Sequence, residues 1–245
     1  MHQRTVAVIP ARYGSTRFPG KPLALIAGLP MIQHTYQSTL ACPEIAEVVV
    51  ATDDERIMAA VAAFGGKAVL TSPDHQTGTD RIAEAAEQLD CDLVVNVQGD
   101  EPLMSGAVLS ALIRNMRSTH ADMGTAAVPF ALSGREPSDS NAVKVVIDRR
   151  GYALYFSRAL IPHQRVGGQA VEPLLHWGLY AYTRDFLRQF VSWPQGQLES
   201  CEMLEQLRAL ENGARIWVLV TTERSVGVDV PEDITLVEKI LQQHR

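Results

Sequence analysis

The chain has 245 residues, with 46% hydrophobic and 20% charged side chains and a formal net charge of −6. A chain of this length can bury a sizeable core as one large α/β domain or as two small ones, and we expect a single compact unit. The composition excludes wholesale disorder and fibrous structure. The negative charge and the lack of a basic stripe argue against nucleic acid as a partner, because clustered Lys and Arg side chains hold phosphate backbones.

Short β-branched runs alternate with helical patterns in the first part of the chain. They predict strands over residues 5–9, 47–52, 67–71 and 93–97, separated by helices over 31–40, 54–64 and 79–89. Asp53 or Asp54 is a candidate N-cap for the second helix, and Thr77 or Thr79 for the third. This alternation predicts a parallel sheet, whose ligands bind beyond the carboxyl ends of the strands.

The second part of the chain begins with a polar stretch over 132–141, and we expect it to form a separate lobe. A Gly-rich segment at 165–169 indicates a mobile connection. The remaining patterns predict strands over 142–147, 152–156, 176–183 and 215–220, and helices over 184–191, 199–211 and 231–243.

The loop after the first predicted strand is the most informative segment. It reads PARYGSTRFPGKP from Pro10 and brings the cations Arg12, Arg17 and Lys21 together with Gly14, Ser15, Thr16 and Gly20. Backbone N–H groups, hydroxyls and positive charges in one loop favour a polyphosphate ligand, and a solvated basic loop is the alternative. Neither GxxxxGK[ST] nor GxGxxG occurs here, which disfavours a Walker-type loop and a dehydrogenase.

Acidic residues follow the strand predicted over 93–97. Asp100 and Glu101 leave its end in the segment NVQGDEP, and one or two carboxylates with phosphate oxygens and water are typical of a Mg²⁺ site. An ordinary Asp-Glu-Pro turn is the alternative. Asp229, in the segment GVDVPED, is explained on its residues alone as part of a helix start.

Other polar residues have a functional and a structural interpretation. Arg81, in DHQTGTDR, either contacts a nucleobase or belongs to a capped turn. His176 and Tyr180 share one face of a predicted strand, and a hydrogen-bonded core histidine is the commoner outcome. Arg158 either neutralises a substrate carboxylate or pairs with a surface acid. The helical residues Glu202, Glu205 and Gln206 lie within about one turn, and a solvated helix face is their alternative.

The cysteines and the N-terminus lead to an expectation about compartment. Cys42, Cys91 and Cys201 lie far apart without a CxxC pair, which fits neither a disulfide framework nor a zinc site. The apolar run ending at Ile9 is short for a signal peptide, and no stretch approaches the ~18 apolar residues of a membrane span. We expect a cytoplasmic protein without membrane insertion.

The motifs occur together in a specific order. They are PARYGSTRFPGKPL from Pro10, HQTGTDR from His75, VNVQGDEPL from Val95, NAVKVV from Asn141, YALYFSR from Tyr152, EMLEQLR from Glu202 and GVDVPED from Gly227. This set resembles the 3-deoxy-manno-octulosonate cytidylyltransferases, or CMP-Kdo synthetases, over nearly the whole chain. The resemblance implies an α/β, nucleotidyltransferase-type (Rossmann-like) fold with a mixed, mainly parallel sheet, helices on both faces and a smaller sugar-binding and dimerisation lobe.

The resemblance also implies a reaction and its residues. A homodimer would use Mg²⁺ to convert CTP and 3-deoxy-D-manno-octulosonate (Kdo) into CMP-Kdo and diphosphate for lipopolysaccharide or capsule synthesis. The catalytic residues implied are Lys21, Asp100 and Asp229, and both aspartates become metal ligands. CTP would contact Arg12, Ser15, Arg17, Lys21, Arg81 and Gln98. The sugar would contact Gln98, Arg158, His176, Tyr180, Glu205 and Gln206.

The resemblance divides one domain by task and leaves alternatives open. Residues 1–130 would mainly bind CTP, 131–225 would mainly bind the sugar and the second subunit, and 226–245 would supply the metal-ligand turn and the terminal helix. The segment 163–173 does not match the family pattern, which leaves 8-amino-3,8-dideoxy-Kdo or a sialic acid as alternative acceptors. Val230 and Thr77 stand where the family often has Thr and Ser. A noncatalytic nucleotide-binding protein is the alternative outside this reaction class.

Overall fold

The computed structural model describes residues 3–14, 18–223 and 226–243. Its strands are β1 (Thr5–Ala11), β2 (Leu25–Ile26), β3 (Leu29–Pro30), β4 (Glu47–Thr52), β5 (Ala68–Leu70), β6 (Leu93–Asn96), β7 (Met123–Pro129), β8 (Lys144–Ile147), β9 (Ala153–Ser157), β10 (Leu174–Thr183) and β11 (Ile216–Val220). Its helices are α1 (Met31–Leu40), α2 (Glu55–Ala63), α3 (Gly78–Glu87), α4 (Gly106–Thr119), α5 (Phe130–Ser133), α6 (Arg184–Ser192), α7 (Gln197–Glu202), α8 (Gln206–Glu211) and α9 (Asp233–Gln243).

The chain divides into two compact units. The first unit comprises Met1–Ser110 and Ser225–Arg245, and the second comprises Ala111–Arg224. In the first unit β6, β1, β4 and β5 are neighbours in that order and pair in parallel, as the alternation of strands and helices predicts. The buried faces of β1 and β4 consist almost wholly of Val, Ile and Ala, which suits a strand covered on both sides.

Helix caps fix where two helices of the first unit begin. Asp54 accepts a hydrogen bond from Arg56 N at 2.9 Å and is the N-cap of α2. Thr77 and Asp80 form a capping box at the start of α3, because each side chain satisfies a backbone N–H of the other. Of the paired candidates, the structure therefore selects Asp54 and Thr77. Both caps stand in loops after strands.

The second unit contains a mixed sheet. β11 pairs in parallel with β7, β7 is antiparallel to β10, and β8 is antiparallel to both β10 and β9. The register of β10 against β7 shifts between Trp177 and Tyr180, which marks a β-bulge. The predicted α/β class with a mixed sheet and parallel core is confirmed. Within the described residues, no helix combines the length and apolar character needed to cross a bilayer.

The helix predicted over 199–211 is wrong as one element. α7 ends at Glu202 and α8 begins at Gln206, because Met203 adopts a left-handed conformation with φ of 52° and interrupts the helical hydrogen bonds. The terminal helix begins at Asp233, two residues after the predicted start. α4 and β7 have no counterpart among the predicted elements.

Candidate active site

The cationic loop after β1 closes on itself through its backbone. Gly20 N donates to Tyr13 O at 3.0 Å, and Lys21 N donates to Phe18 O at 3.2 Å. Gly20 has φ of +69°, and a Cβ there would lie 3.2 Å from the Tyr13 ring, so this turn requires glycine. Ser15 and Arg17, both expected to contact a triphosphate, lie outside the described residues.

Lys21 connects this loop to the two acidic segments. Its Nζ donates to Asp100 Oδ2 at 2.6 Å and to Val228 O at 2.8 Å. Val228 N in turn donates to Asp100 O at 2.9 Å. These bonds hold the backbone of Val228 against Asp100, and Asp229 is the next residue in the chain. The first unit therefore assembles Lys21, Asp100 and Asp229 from three distant segments, as the resemblance implies.

Buried apolar packing explains why the chain returns to Asp100. Val228 is fully buried in a cluster with Ile26, Met31 and Val237, and the last of these belongs to α9. Burying each such side chain contributes about 1.5–3 kcal/mol. The terminal helix thus anchors the Asp229 segment within the first unit.

A polar cavity of about 190 Å³ lies beyond the carboxyl ends of β1 and β6. Arg12, Arg81 and Gln98 all line it, with Pro10, Ala11, His75, Gln76, Thr77 and Gly78 around them. The predicted nucleotide residues that the structure describes in this region therefore meet in one place. Because backbone and side-chain polar groups converge in a small cavity, the lining suits a flat heterocycle that carries donors and acceptors.

Arg81 is held rigidly at this cavity. Its side chain is only 6% exposed, its Nη2 lies 3.4 Å from Asp53 Oδ2, and its Nη1 donates to Thr71 Oγ1. A guanidinium anchored by two partners loses little further rotamer entropy when it contacts a ligand. Gln98 is anchored similarly, because its Nε2 donates to Asn96 Oδ1 at 2.9 Å.

The second unit holds Arg158 directly after β9. Its Nε donates to Glu202 O at 2.7 Å, and Nη1 and Nη2 donate to Ser140 O and Met203 O at 3.2 and 3.3 Å. The Arg158 backbone N–H donates to the Glu202 carboxylate at 2.9 Å. No carboxylate of the described residues forms an ion pair with this guanidinium, so its charge is oriented by neutral carbonyls alone.

Lys144 stabilises the same corner of the second unit. It is fully buried, and its Nζ donates to the carbonyl oxygens of Asp139, Ala142 and Arg158 at 2.8, 2.7 and 2.6 Å. Burial lowers the pKa of Lys144 below its ordinary value. All three ammonium protons are satisfied, which fixes the Arg158 carbonyl in place.

His176 and Tyr180 lie side by side on β10. Their ring centroids are 5.5 Å apart, and Phe156 stands edge-on to His176 at 5.0 Å. Burial lowers the pKa of His176 to about 3, although the residue as a whole is only half-buried. Burial and the nearby Glu205 carboxylate raise the pKa of Tyr180. Both rings are therefore neutral near pH 7 and suit hydrogen bonds with hydroxyl groups.

The interruption between α7 and α8 positions Glu205 and Gln206. Gln206 is 4% exposed, and its Nε2 has no hydrogen-bond partner among the described residues. Arg208 joins the two helices by donating to both carboxylate oxygens of Glu199 at 2.7 and 2.6 Å. A buried amide without a partner carries a cost that a bound polar ligand would relieve.

Arg208→Met is expected to lower the free energy of unfolding by about 3–5 kcal/mol, because it leaves the buried Glu199 carboxylate without its partner. Both side chains of this pair are less than a tenth exposed, at 8% and 6%. Urea unfolding of the two proteins measures the loss. Arg150→Met, which breaks a pair whose arginine is 77% exposed, is the matched control and should cost less than about 1 kcal/mol. Equal losses in the two variants would contradict this account.

Stability should also depend on the protonation of His176. The pKa of His176 in the folded protein, about 3, lies below its ordinary value of 6.5. Between these two pH values the unfolded chain binds a proton at His176 and the folded chain does not. The stabilising contribution is therefore complete above pH 6.5 and is lost as pH falls toward 3. Between pH 7 and pH 5 the native protein should lose up to about 2 kcal/mol more than His176→Gln in urea unfolding. Identical losses would refute the assignment.

The structure groups the predicted residues by unit. The first unit contains the predicted catalytic and nucleotide residues Arg12, Lys21, Arg81, Gln98, Asp100 and Asp229. The second unit contains the predicted sugar residues Arg158, His176, Tyr180, Glu205 and Gln206. Lys144, Thr125 and Glu199 are supporting residues that sequence reasoning did not select. Lys144 stands in the motif NAVKVV, and a lysine within an otherwise apolar strand was an available signal. Thr125 and Glu199 gave no comparable signal.

Comparisons with known proteins agree with this arrangement. A family model described as "Cytidylyltransferase" matches residues 6–216. The chain is 52% identical to the 3-deoxy-manno-octulosonate cytidylyltransferase of Syntrophotalea carbinolica, over 96% of this chain and 98% of that one. It is 49% identical to the protein of that name from Desulfatibacillum aliphaticivorans, over 98% and 99% of the two chains.

A solved structure gives the same result. It is described as CMP:2-keto-3-deoxy-manno-octonic acid synthetase complexed with CTP, is 41% identical, and superposes with a TM-score of 0.93 over 99% of this chain and 100% of its own. The match to the family model covers most of the chain. The two sequence relatives and the superposed structure cover nearly all of it. The protein therefore belongs to the cytidylyltransferase family and, within it, to the 3-deoxy-manno-octulosonate cytidylyltransferases.

Proposed function

We propose that this protein transfers CMP from CTP to Kdo, as its relatives' names state for them. The anomeric hydroxyl oxygen of Kdo attacks the α-phosphorus of CTP and forms the new P–O bond. The bond from that phosphorus to the β-phosphate oxygen breaks, diphosphate leaves, and the hydroxyl proton passes to solvent. The observation that carries the proposal is the junction of Lys21, Asp100 and Val228 beside a cationic loop.

CTP is proposed to bind the first unit. Arg12, Arg81 and Gln98 line a polar cavity of about 190 Å³ that suits a pyrimidine base. Lys21 supplies a positive charge where the triphosphate would lie, and we assign Ser15 and Arg17 to the same task on resemblance. The solved relative complexed with CTP supports this choice of nucleotide.

Asp100 and Asp229 fit a hard divalent cation, and we propose that they hold Mg²⁺. Within residues 3–14, 18–223 and 226–243, no three His, Cys, Asp or Glu side chains converge as a ligand cluster, so two carboxylates would share the ion with phosphate oxygens and water. When bound, such an ion would neutralise phosphate charge during attack at the α-phosphorus. Lys21 orients Asp100 for this task through its 2.6 Å hydrogen bond.

The sugar is proposed to bind residues of the second unit. Among the described residues the Arg158 guanidinium donates to carbonyl oxygens only, so we propose that its charge is available to the Kdo carboxylate. His176 and Tyr180, both neutral, suit sugar hydroxyls. Glu205 and the Nε2 group of Gln206, which has no hydrogen-bond partner in the described part of the chain, complete a set of donors and acceptors.

The remaining proposals rest on the resemblance. Residues 1–130 would mainly bind CTP, 131–225 would mainly bind the sugar and a second subunit, and 226–245 would supply the metal-ligand turn. We propose a cytoplasmic homodimer whose product serves lipopolysaccharide or capsule synthesis. Light scattering coupled to size-exclusion chromatography tests the dimer: a mass near twice the monomer supports it, and a monomeric mass at micromolar concentration contradicts it.

The experiment for the reaction is diphosphate release from CTP and Mg²⁺ with each of three acceptors offered separately: Kdo, 8-amino-3,8-dideoxy-Kdo and N-acetylneuraminate. We expect release with Kdo that stops when EDTA is added. Preference for the amino sugar or for the sialic acid would support CMP transfer from CTP but would show that Kdo is not the acceptor. Absence of release with all three would contradict catalysis and favour a nucleotide-binding protein.

A further inference from the structure

The bulge in β10 places a buried hydroxyl against His176. β10 and β7 pair regularly up to Trp177, and Tyr180 then pairs with Thr125, so two residues of β10 have no partner on β7. Thr125 is fully buried, and its Oγ1 lies 2.8 Å from Leu179 O and 3.2 Å from Trp177 O. The hydroxyl thus lies at the irregularity and donates toward two carbonyl groups of the bulged segment.

The same hydroxyl contacts the His176 ring. Thr125 Oγ1 lies 3.0 Å from His176 Nε2. A threonine hydroxyl has one proton, and carbonyl oxygens can only accept, so the proton of Thr125 is directed to the bulge carbonyls. In its contact with His176, Thr125 Oγ1 must therefore be the acceptor. Nε2 of His176 must then carry a hydrogen and donate it to Thr125.

This assignment determines the other ring nitrogen. A neutral imidazole carries one proton, so Nδ1 of His176 holds a lone pair. No described residue hydrogen bonds to Nδ1. The rings of Phe156 and Tyr180, with centroids at 5.0 and 5.5 Å, fix the plane of the imidazole and hence the direction of that lone pair.

We propose that Thr125 is a positioning residue that holds His176 in the Nε2–H tautomer, so that Nδ1 accepts a hydrogen bond from a hydroxyl of the acceptor sugar. The proposal rests on the proposed function, because it takes His176 to contact the sugar. Thr125 itself contacts neither substrate. The arrangement selects a donor group on the ligand, since a lone pair on nitrogen repels carbonyl and carboxylate oxygens.

The tautomer is measured directly by long-range ¹H–¹⁵N correlation spectra of protein labelled with ¹⁵N-histidine. The chain has 7 histidines, so comparison with the spectrum of His176→Phe assigns the signal. We expect a protonated Nε2 and an unprotonated Nδ1 in the native protein at pH 7. A protonated Nδ1 would overturn the proposal. This readout needs no substrate and remains informative if the enzyme shows no turnover, a result that would count against the proposed function instead.

Steady-state kinetics test the consequence for the sugar. Thr125→Val keeps the shape of the side chain and removes the hydroxyl, and KM for Kdo should rise roughly 3- to 10-fold while KM for CTP stays within about twofold. Thr125→Ser keeps the hydroxyl and should restore KM for Kdo. In a His176→Phe background, Thr125→Val should change KM for Kdo no further.

Equal effects of Thr125→Val with and without His176 would show a merely structural role and overturn the proposal. An unchanged KM for Kdo in His176→Phe would overturn the sugar contact, whatever the tautomer. If Thr125→Val does not fold, as judged by its near-ultraviolet circular dichroism, the spectrum of the native protein and the kinetics of Thr125→Ser still decide the question.

Discussion

Asp100→Asn is expected to lower kcat/KM for CMP transfer by roughly 10³-fold, the scale associated with removing an electrostatic contact to the transition state. Asn keeps the shape of the side chain but removes the charge that Lys21 pairs with at 2.6 Å and that a cation would need. The backbone hydrogen bond from Val228 N to Asp100 O does not involve the carboxylate and should remain. Diphosphate release at saturating and limiting CTP measures the effect.

The controls for Asp100→Asn separate chemistry from folding. Asp185→Asn makes the same chemical change at a side chain that is 97% exposed, and it should leave kcat/KM within about twofold. The free energy of unfolding of Asp100→Asn should stay within about 1 kcal/mol of the native value, because the Lys21–Asp100 pair is partly exposed. Normal activity in Asp100→Asn would remove this carboxylate from the proposed site.

Arg158→Gln is expected to lower kcat/KM for the sugar by about 10²-fold, mainly through a higher KM for Kdo, while KM for CTP stays within about twofold. The substitution removes the charge-assisted contact between the Arg158 guanidinium and the Kdo carboxylate. This guanidinium is already oriented by the carbonyl oxygens of Glu202, Ser140 and Met203. Arg150→Gln removes an arginine that is 77% exposed and serves as the matched control. Initial rates at varied Kdo and fixed, saturating CTP give the comparison.

A neutral acceptor analogue sharpens the test of Arg158. With the carboxamide of Kdo in place of Kdo, the native enzyme should approach the weak affinity of Arg158→Gln, because both lack the same ionic contact. A variant that discriminates between Kdo and its carboxamide as strongly as the native enzyme would show that another cation meets the carboxylate.

The sequence predicts most elements of the first unit because local and tertiary preferences agree there. β1 and β4 are β-branched runs buried on both faces, and the structure reproduces the predicted start of β1 and both ends of β4. The sequence offers two candidates for each N-cap, Asp53 or Asp54 and Thr77 or Thr79, because the two side chains of each pair are the same. Only the backbone geometry of the loop decides between them.

The predicted helix over 199–211 fails for a reason that periodicity does not reveal. Residues on both sides of Met203 have helical preferences, yet Met203 adopts φ of 52°, a conformation that is uncommon outside glycine and asparagine. Tertiary contacts, including the buried pair of Glu199 and Arg208, hold the two short helices in their places. Here packing prevails over local propensity.

The residues proposed to take part in the reaction are predictable from the sequence, but the residues that hold them in position are less so. Lys21, Asp100 and Asp229 stand in motifs, and the structure brings their segments together through Val228. Thr125 lies in a strand without any motif, and its contact with His176 depends on a bulge in β10. Because a bulge arises from the pairing of two strands, neither strand alone reveals it.

A ³¹P NMR time course of CTP, Mg²⁺ and Kdo with the purified protein tests the transfer of CMP to Kdo. CMP transfer to Kdo predicts that the three CTP resonances decline while one phosphodiester resonance of CMP-Kdo and the resonance of diphosphate grow in a 1:1 molar ratio. Unchanged CTP, or growth of CDP with phosphate and of free CMP without a phosphodiester, would contradict it.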